Sequence, residues 1–269
     1  MGSAAAWRLA QRGARVIGLD RFTPLHDRGS SHGRTRICRK AYFEHPDYVP
    51  LLTRAYRLWE QLEHETHTRL FERCGLLLID DENGPVVAGV RRAAARHNLE
   101  IEPLTADDVR RRFPAFRIPP TQTALFERDA GYLHAERCLE AMQRRAVAAG
   151  ADLRWETQVR AWRADRAGVV VRTDDGVLEA GSLVLCAGPW SAELLGELNP
   201  PLSVLRTVQH WFAAFDPQSL TPPAFPVYGW QTAMGFFYGF PSLDGRTVKA
   251  AEHGGRPAAR GADALVREI

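Results

Sequence analysis

Apolar and polar positions along this chain follow two rhythms, a helical one early and a strand-like one late. Ser3 to Arg12 is alanine-rich with helical spacing and ends at Gly13, a C-terminal stop. Val16-Ile17-Gly18-Leu19 predicts a short buried strand, closed by Asp20. From Asp47 to about Glu65, Tyr48, Leu51, Leu52, Ala55, Trp59 and Leu62 share one broad face of a long amphipathic helix. Gly75 to Ile79 predicts a strand and Pro85 to His97 a helix. Thr105 with Asp108 predicts a capped helix ending before Pro114. Ala124 to Arg128 reads as a strand and Ala135 to Ala149 as a helix. Gly168 to Leu185 predicts a hairpin turning at Asp175-Gly176 and then a strand. Leu183 to Gly188 reads as a buried strand entering a tight turn. From Val204 onward, short apolar and aromatic strands separated by Pro and Gly predict antiparallel sheet. Arg256 to Ile269 begins a further helix.

The opening helix, turn, strand and acid form the second half of a β-α-β nucleotide-binding unit. Gly2 stands at the last glycine of the G-x-G-x-x-G fingerprint, where a missing side chain lets the helix pack closely on the strand. The helix N-terminus offers N–H groups to a pyrophosphate, and Asp20 can accept hydrogen bonds from ribose hydroxyls. The strand that should precede this helix is missing and the last helix breaks off, so the sequence reads as a chain cut at both ends.

Composition narrows the function classes. Hydrophobic residues make up 45% and charged residues 25%, ordinary for a soluble globular protein. No apolar run approaches the roughly 18 residues of a membrane span, and no secretory signal is visible. Net charge is +3 with the signs mixed along the chain, which argues against a nucleic-acid partner. Cys38, Cys74, Cys138 and Cys186 show no C-x-x-C pairing or disulfide framework, which fits reduced thiols in a cytoplasmic protein. His64 and His67 in H-E-T-H lie three apart, not the four of a zinc-binding helix, and predict a solvated helix end without metal.

Of the 35 basic residues only Lys40 and Lys249 are lysine. A chain that otherwise uses arginine for positive charge points to a specific need for an ammonium, which unlike guanidinium can lose its proton when buried. In a strand, Lys249, Ala251 and His253 share one face. Tyr238 joins them if it sits opposite Lys249 with Ser242 to Gly245 as the loop.

Residues 29–42 read G-S-S-H-G-R-T-R-I-C-R-K-A-Y, with Tyr48-Val49-Pro50 following. This block resembles the flavin-contacting segment of the monomeric sarcosine oxidase and N-methyltryptophan oxidase family, G-S-H-H-G-x-T-R-x-x-R-x-A-Y, with Ser31 in place of the first histidine. Residues 235–253, G-F-F-Y-G-F-P-S-L-D-G-R-T-V-K-A-A-E-H, resemble the family's Y-Y-G-F-P segment and the strand after it.

The resemblance implies an α/β fold, α+β overall: a Rossmann-like FAD-binding domain beside a mostly antiparallel substrate domain, incomplete here. The expected division is residues 1–74 and 135–203 for FAD, and 75–134 and 204–269 for substrate. Flavin contacts are expected from Gly2, Asp20, Ser30, His32, Thr35, Arg36, Gly188 and Trp190. Arg39 matches the arginine that pairs with the substrate carboxylate, Tyr238 and His253 match substrate-site residues, and Lys249 matches the lysine that activates dioxygen. None of the four cysteines matches the family's covalent flavin link.

The implied reaction passes a hydride equivalent from a secondary or N-methyl amino acid to FAD, and dioxygen then gives hydrogen peroxide. The expected partners are an amino acid and dioxygen, with no nucleic acid or membrane, and a monomer in the cytoplasm. Two other readings stand beside this one. One is a related FAD dehydrogenase or D-amino acid oxidase-like enzyme with another amine, and the other is a non-catalytic fragment of the fold.

Overall fold

The computed structural model describes residues 1–198, 200–216, 218–257 and 262–263. In chain order the elements begin α1 (Gly2–Gln11), β1 (Ile17–Leu19), β2 (Thr35–Cys38), α2 (Tyr48–Thr66), β3 (Phe71–Glu72) and β4 (Leu76–Asp81). There follow α3 (Pro85–His97), β5 (Glu102–Leu104), α4 (Ala106–Arg112), β6 (Gln122–Glu127), β7 (Gly131–His134), α5 (Ala135–Ala148) and β8 (Asp152–Arg154). Strands then dominate: β9 (Val159–Asp165), β10 (Gly168–Thr173), β11 (Gly176–Ala180), β12 (Leu205–Arg206), β13 (Gln209–Ala213), β14 (Val227–Thr232), β15 (Gly235–Phe240) and β16 (Thr247–Glu252). The helix expected over Arg256 to Ile269 starts instead as a short strand at Arg256–Pro257, and most of the rest lies outside the described residues.

The chain divides into two compact units. The first holds Met1–Arg34 and Ala135–Arg206, with the described residues from Pro257 on; the second holds Thr35–His134 and Thr207–Arg256. The compact units divide at residue 34, whereas residue 74 is the expected boundary between the FAD and substrate parts. The cause is long-range pairing. β2 hydrogen-bonds antiparallel to β7, with Thr35 opposite His134 and Cys38 opposite Gly131, which draws residues 35–74 into the second unit.

In the first unit β1 runs parallel to β8, with Ile17 opposite Asp152. A Cβ on Gly18 would crowd the Leu153 side chain at 2.7 Å, so a residue without one lets the two strands close up. α1 buries Ala6, Trp7 and Ala10, and α5 buries Cys138, Ala141, Met142 and Ala146. Gly13, at φ 85°, ends the α1 turn as its sequence predicts. The hairpin of β10 and β11 turns one residue earlier than expected, on Asp174-Asp175. Thr173 pairs with Gly176, whose φ is 139°, and Asp175 N–H donates to Thr173 Oγ1 at 3.2 Å. Leu183 to Gly188, expected as a buried strand, is not one. It pairs with no described strand, and Val184 is exposed.

The second unit is built on a seven-stranded sheet of order β13-β16-β15-β14-β4-β6-β5, antiparallel except where β14 meets β4. Period-two alternation gives it two apolar faces. Leu76, Leu78, Leu125, Val227 and Phe240 form one face, covered by Val86, Val87 and Val90 of α3 and by Tyr132 of β7. Leu77, Ile79, Ala124 and Phe126 form the other, covered by Val109 of α4 and by Phe113, Phe116 and Phe225. Each large side chain so buried contributes about 1.5–3 kcal/mol.

The α3 helix starts and stops as its sequence predicts. Pro85 opens it, Asp80 Oδ2 accepts from Val86 N–H at 2.8 Å, and Asn98 closes it in a left-handed turn. In α4 the Thr105 and Asp108 side chains and backbones satisfy each other in a capping box. α2 keeps its expected length but turns a different stripe inward. Val49, Tyr56 and Leu62 are buried, while Tyr48 and Leu51 are exposed, because the Tyr56 hydroxyl reaches in to donate to the Cys38 carbonyl. No helix among the described residues is long and apolar enough to cross a membrane.

Candidate active site

The site in the second unit grows from three elements: the start of β2, the hairpin of β15 and β16, and the turn after β2. The hairpin register differs from expectation by two residues. Phe240, not Tyr238, sits opposite Lys249, and Tyr238 sits opposite Ala251. Asp244 sets this. Its Oδ1 accepts the N–H groups of Arg246 and Thr247 at 2.9 and 2.8 Å, so the loop closes tightly ahead of Thr247. A two-residue slip preserves the face, so Tyr238 and Lys249 still point the same way.

Lys249 is 6% exposed. Its ammonium lies 4.3 Å from the Phe240 ring centroid and 5.9 Å from that of Trp211, the residue opposite it on β13. Its Nζ donates to the Thr35 carbonyl oxygen at 3.1 Å, and Arg36 Nη1 donates to the same oxygen at 2.7 Å. Tyr238 is half-buried on the same face, its hydroxyl pKa raised by burial and lowered in part by the nearby Arg36 charge. His253 lies just past β16, where its N–H continues the ladder to the Phe236 carbonyl at 2.7 Å. Its ring is 6.4 Å from Tyr238 and 5.7 Å from Phe236.

Arg39 follows β2 by one residue and is 8% exposed. Its Nη2 donates to both carboxylate oxygens of Glu44, at 2.9 and 2.7 Å, and its guanidinium stacks 4.1 Å from Tyr42 and 4.8 Å from Phe43. Phe43 in turn packs 5.4 Å from Phe236, which links Arg39 to the His253 end of the hairpin. Thus Arg36, Lys249, Tyr238 and His253 share one region, and Arg39 joins it through two aromatic rings.

The remaining expected positions lie in the first unit. Gly2 opens α1, whose first turn carries no acidic residue. Asp20 follows β1, its Oδ1 accepting from Phe22 N–H at 3.0 Å and lying 3.5 Å from His26 Nε2. Phe22 packs 5.3 Å from Trp190, whose indole N–H donates to Asp263 at 2.9 Å. Gly188 begins that short turn with φ 56°. Beside Asp20, an open cleft of about 560 Å³ is lined by residues 21–28 and Glu156. Ser30 is exposed and His32 half-buried. Glu136 of α5 accepts the N–H groups of Gly33 and Arg34 at 2.8 and 3.0 Å, which holds the end of that loop.

Sequence reasoning missed Glu44, Phe22 and Glu127. Glu44 carried only a weak signal, an acid five residues after an arginine. The other two carried none.

The sequence pattern of the family described as DAO, FAD dependent oxidoreductase, matches residues 1–269. This chain belongs to that family. Within it, the chain is 41% identical over 252 residues to a monomeric sarcosine oxidase of Streptomyces avermitilis, covering 93% of this chain and 66% of the relative. It is 35% identical over 258 residues to an N-methyl-L-tryptophan oxidase of Yersinia pestis, covering 95% and 68%. The solved structure of NikD, an amino acid oxidase of nikkomycin biosynthesis, superposes with TM-score 0.80 at 29% identity, covering 98% of this chain and 70% of that one. Glycine oxidase from Geobacillus kaustophilus shares the fold, with TM-score 0.74 at 20% identity over 96% of this chain and 69% of that one. The chain therefore spans about two thirds of the length of these relatives.

Members of the FAD dependent oxidoreductase family use FAD, and the residues present fit it. Thr35 Oγ1 is buried and has no hydrogen-bond partner among the described residues, an orphan that a polar ring atom can satisfy. The groups around it, the Arg36 guanidinium and the Lys249 ammonium, are donors that suit the carbonyl oxygens and nitrogens of an isoalloxazine. In the first unit, an α1 N-terminus free of acidic residues suits a pyrophosphate.

Proposed function

We propose that this protein oxidises a secondary or N-methyl amino acid of the sarcosine or N-methyltryptophan kind. The observation that carries this reading is the Lys249–Thr35–Arg36 node on the same sheet face as Tyr238. When bound, FAD supplies the acceptor for a hydride from the carbon next to nitrogen and returns the electrons to dioxygen as hydrogen peroxide.

Arg39 is assigned to the substrate carboxylate. A guanidinium matches a carboxylate in plane and in charge, and stacking on Tyr42 and Phe43 fixes its orientation. Its Nη2 is already engaged by Glu44, so an incoming carboxylate shares or displaces that partner. Tyr238 and His253 form the wall near the amine. Burial holds the Tyr238 hydroxyl protonated, which makes it a hydrogen-bond donor. Lys249 supplies fixed positive charge in a dry setting, where stabilising negative charge on oxygen is most effective. Thr35 and Arg36 contribute donors to the flavin ring. Ser30, His32, Gly188 and Trp190, with Gly2 and Asp20, all in the first unit, are assigned to the rest of the cofactor. The thiols of Cys38 and Cys74 support a reducing, cytoplasmic setting.

The test is peroxide formation by the full chain loaded with FAD, supplied with sarcosine or N-methyl-L-tryptophan. Amine-dependent peroxide matched by oxygen uptake is expected. A flavin-loaded protein that forms none with either amine overturns the proposal.

A further inference from the structure

We infer that Glu127 is a positioning residue for Arg39: its buried carboxylate, bound through both oxygens to the turn after β2, fixes the direction in which the guanidinium leaves the strand. This rests on the reading of Arg39 as the carboxylate receptor.

The β2–β7 ladder ends at Cys38 opposite Gly131, so the next N–H groups have no strand partner. Glu127, the last residue of β6, replaces it. Oε1 accepts from Lys40 N–H at 2.7 Å and Oε2 from Ala41 N–H at 3.0 Å. Two other groups of the turn are also engaged. Tyr42 N–H donates to the Lys40 carbonyl at 2.8 Å, and the Cys38 carbonyl accepts from the Tyr56 hydroxyl at 3.2 Å. The peptide on the C-terminal side of Arg39 is thereby held at consecutive N–H groups by one side chain.

The chemistry of the clamp calls for a carboxylate. Two adjacent donors need two acceptors, and a glutamine would turn its NH2 toward one of them. Glu127 is 5% exposed, and its pKa is raised by burial against the lowering effect of the two N–H bonds and of Arg39 and Lys40. The charge is useful because it sits beside the Arg39 backbone and restrains the strand exit from which that side chain works. Ala41 is fully buried, so the clamp also fixes where Tyr42 and Phe43, the two rings stacked on Arg39, leave the turn.

Glu127→Gln tests this on the full chain in two ways. Loaded with FAD, the variant is expected to raise KM for sarcosine or N-methyl-L-tryptophan about tenfold or more, with kcat changed less than about threefold. Without substrate, hydrogen exchange at the Lys40 and Ala41 amides is expected to accelerate at least about tenfold, while amides of the β4–β6 ladder keep their protection. Should Glu127→Gln not fold, Glu127→Asp, which keeps the charge and shortens the reach, is read the same way. Unchanged KM, or exchange that rises across the whole sheet with kcat falling in step, overturns the positioning role. If the wild-type chain oxidises neither amine, the functional reading fails, and exchange at Lys40 and Ala41 alone decides whether the clamp exists.

Discussion

The Lys249 ammonium and the Thr35 carbonyl oxygen meet at 3.1 Å, joining β16 to β2 across 214 residues of chain. That oxygen also accepts from Arg36, so two cationic donors share one acceptor. Loss of the ammonium therefore leaves the carbonyl satisfied. Lys249→Met keeps the apolar stem against Phe240 and removes the desolvation cost of the charge, so its effect on unfolding free energy is expected within about 1 kcal/mol. Denaturant titration checks this. A loss of about 3 kcal/mol or more would mean that the lysine is chiefly a structural strut.

Arg39 and Glu44 give a prediction of opposite sign in two variants. Arg39→Ala removes the assigned carboxylate partner and is expected to raise KM about a hundredfold. Glu44→Gln removes the competing carboxylate, and KM is expected to fall or hold. Steady-state kinetics on both variants reads the pair. A rise of KM in Glu44→Gln as large as that in Arg39→Ala would show that Glu44 holds Arg39 in place and does not compete with substrate.

Tyr238 sets a pH expectation. Its folded pKa is raised from the ordinary 10.0, first by burial. Deprotonation is therefore delayed, and the donor hydroxyl persists through pH 10. Any stability it contributes is fully present below the ordinary value and lost as pH rises through the raised one. The pH profile of kcat/KM should show no alkaline limb below about pH 10 that Tyr238→Phe removes. A limb abolished by that substitution would contradict the assignment.

Gly89 tests the scaffold under the site. It lies on α3 where the helix passes the backbone of Phe43, and a Cβ there would overlap the Phe43 carbonyl oxygen. Gly89→Ala is expected to cost about 1–3 kcal/mol by forcing the two apart. It should also raise KM, because Phe43 stacks on Arg39. Chemical denaturation and kinetics on the same preparation check both. An unchanged stability would mean that α3 shifts freely over the turn.

How much was legible follows from which forces act locally. Pro85 and the Thr105–Asp108 pair mark their helices with caps, and the structure places those helices as expected. The strand face of Lys249 and Ala251 follows from alternation alone. The two-residue slip of Tyr238 does not, because Asp244 sets it by closing the loop with its side chain. Leu183 to Gly188 was misread because apolar content says nothing about whether a neighbouring strand exists. The compact units divide at residue 34 because β2 pairs with β7, about a hundred residues away, and no local pattern announces that partner. Glu127 was invisible for the same reason: a strand-ending acid acquires its task only from a turn 86 residues earlier.

The most direct measurement is rapid-mixing kinetics on the FAD-loaded full chain and on Lys249→Met, following flavin reduction by N-methyl amino acid without oxygen and then reoxidation by oxygen. Lys249→Met is expected to slow reoxidation about a hundredfold or more while reduction changes only a fewfold. Equal slowing of the two half-reactions, or reoxidation as fast as wild type, would contradict the role of the buried ammonium.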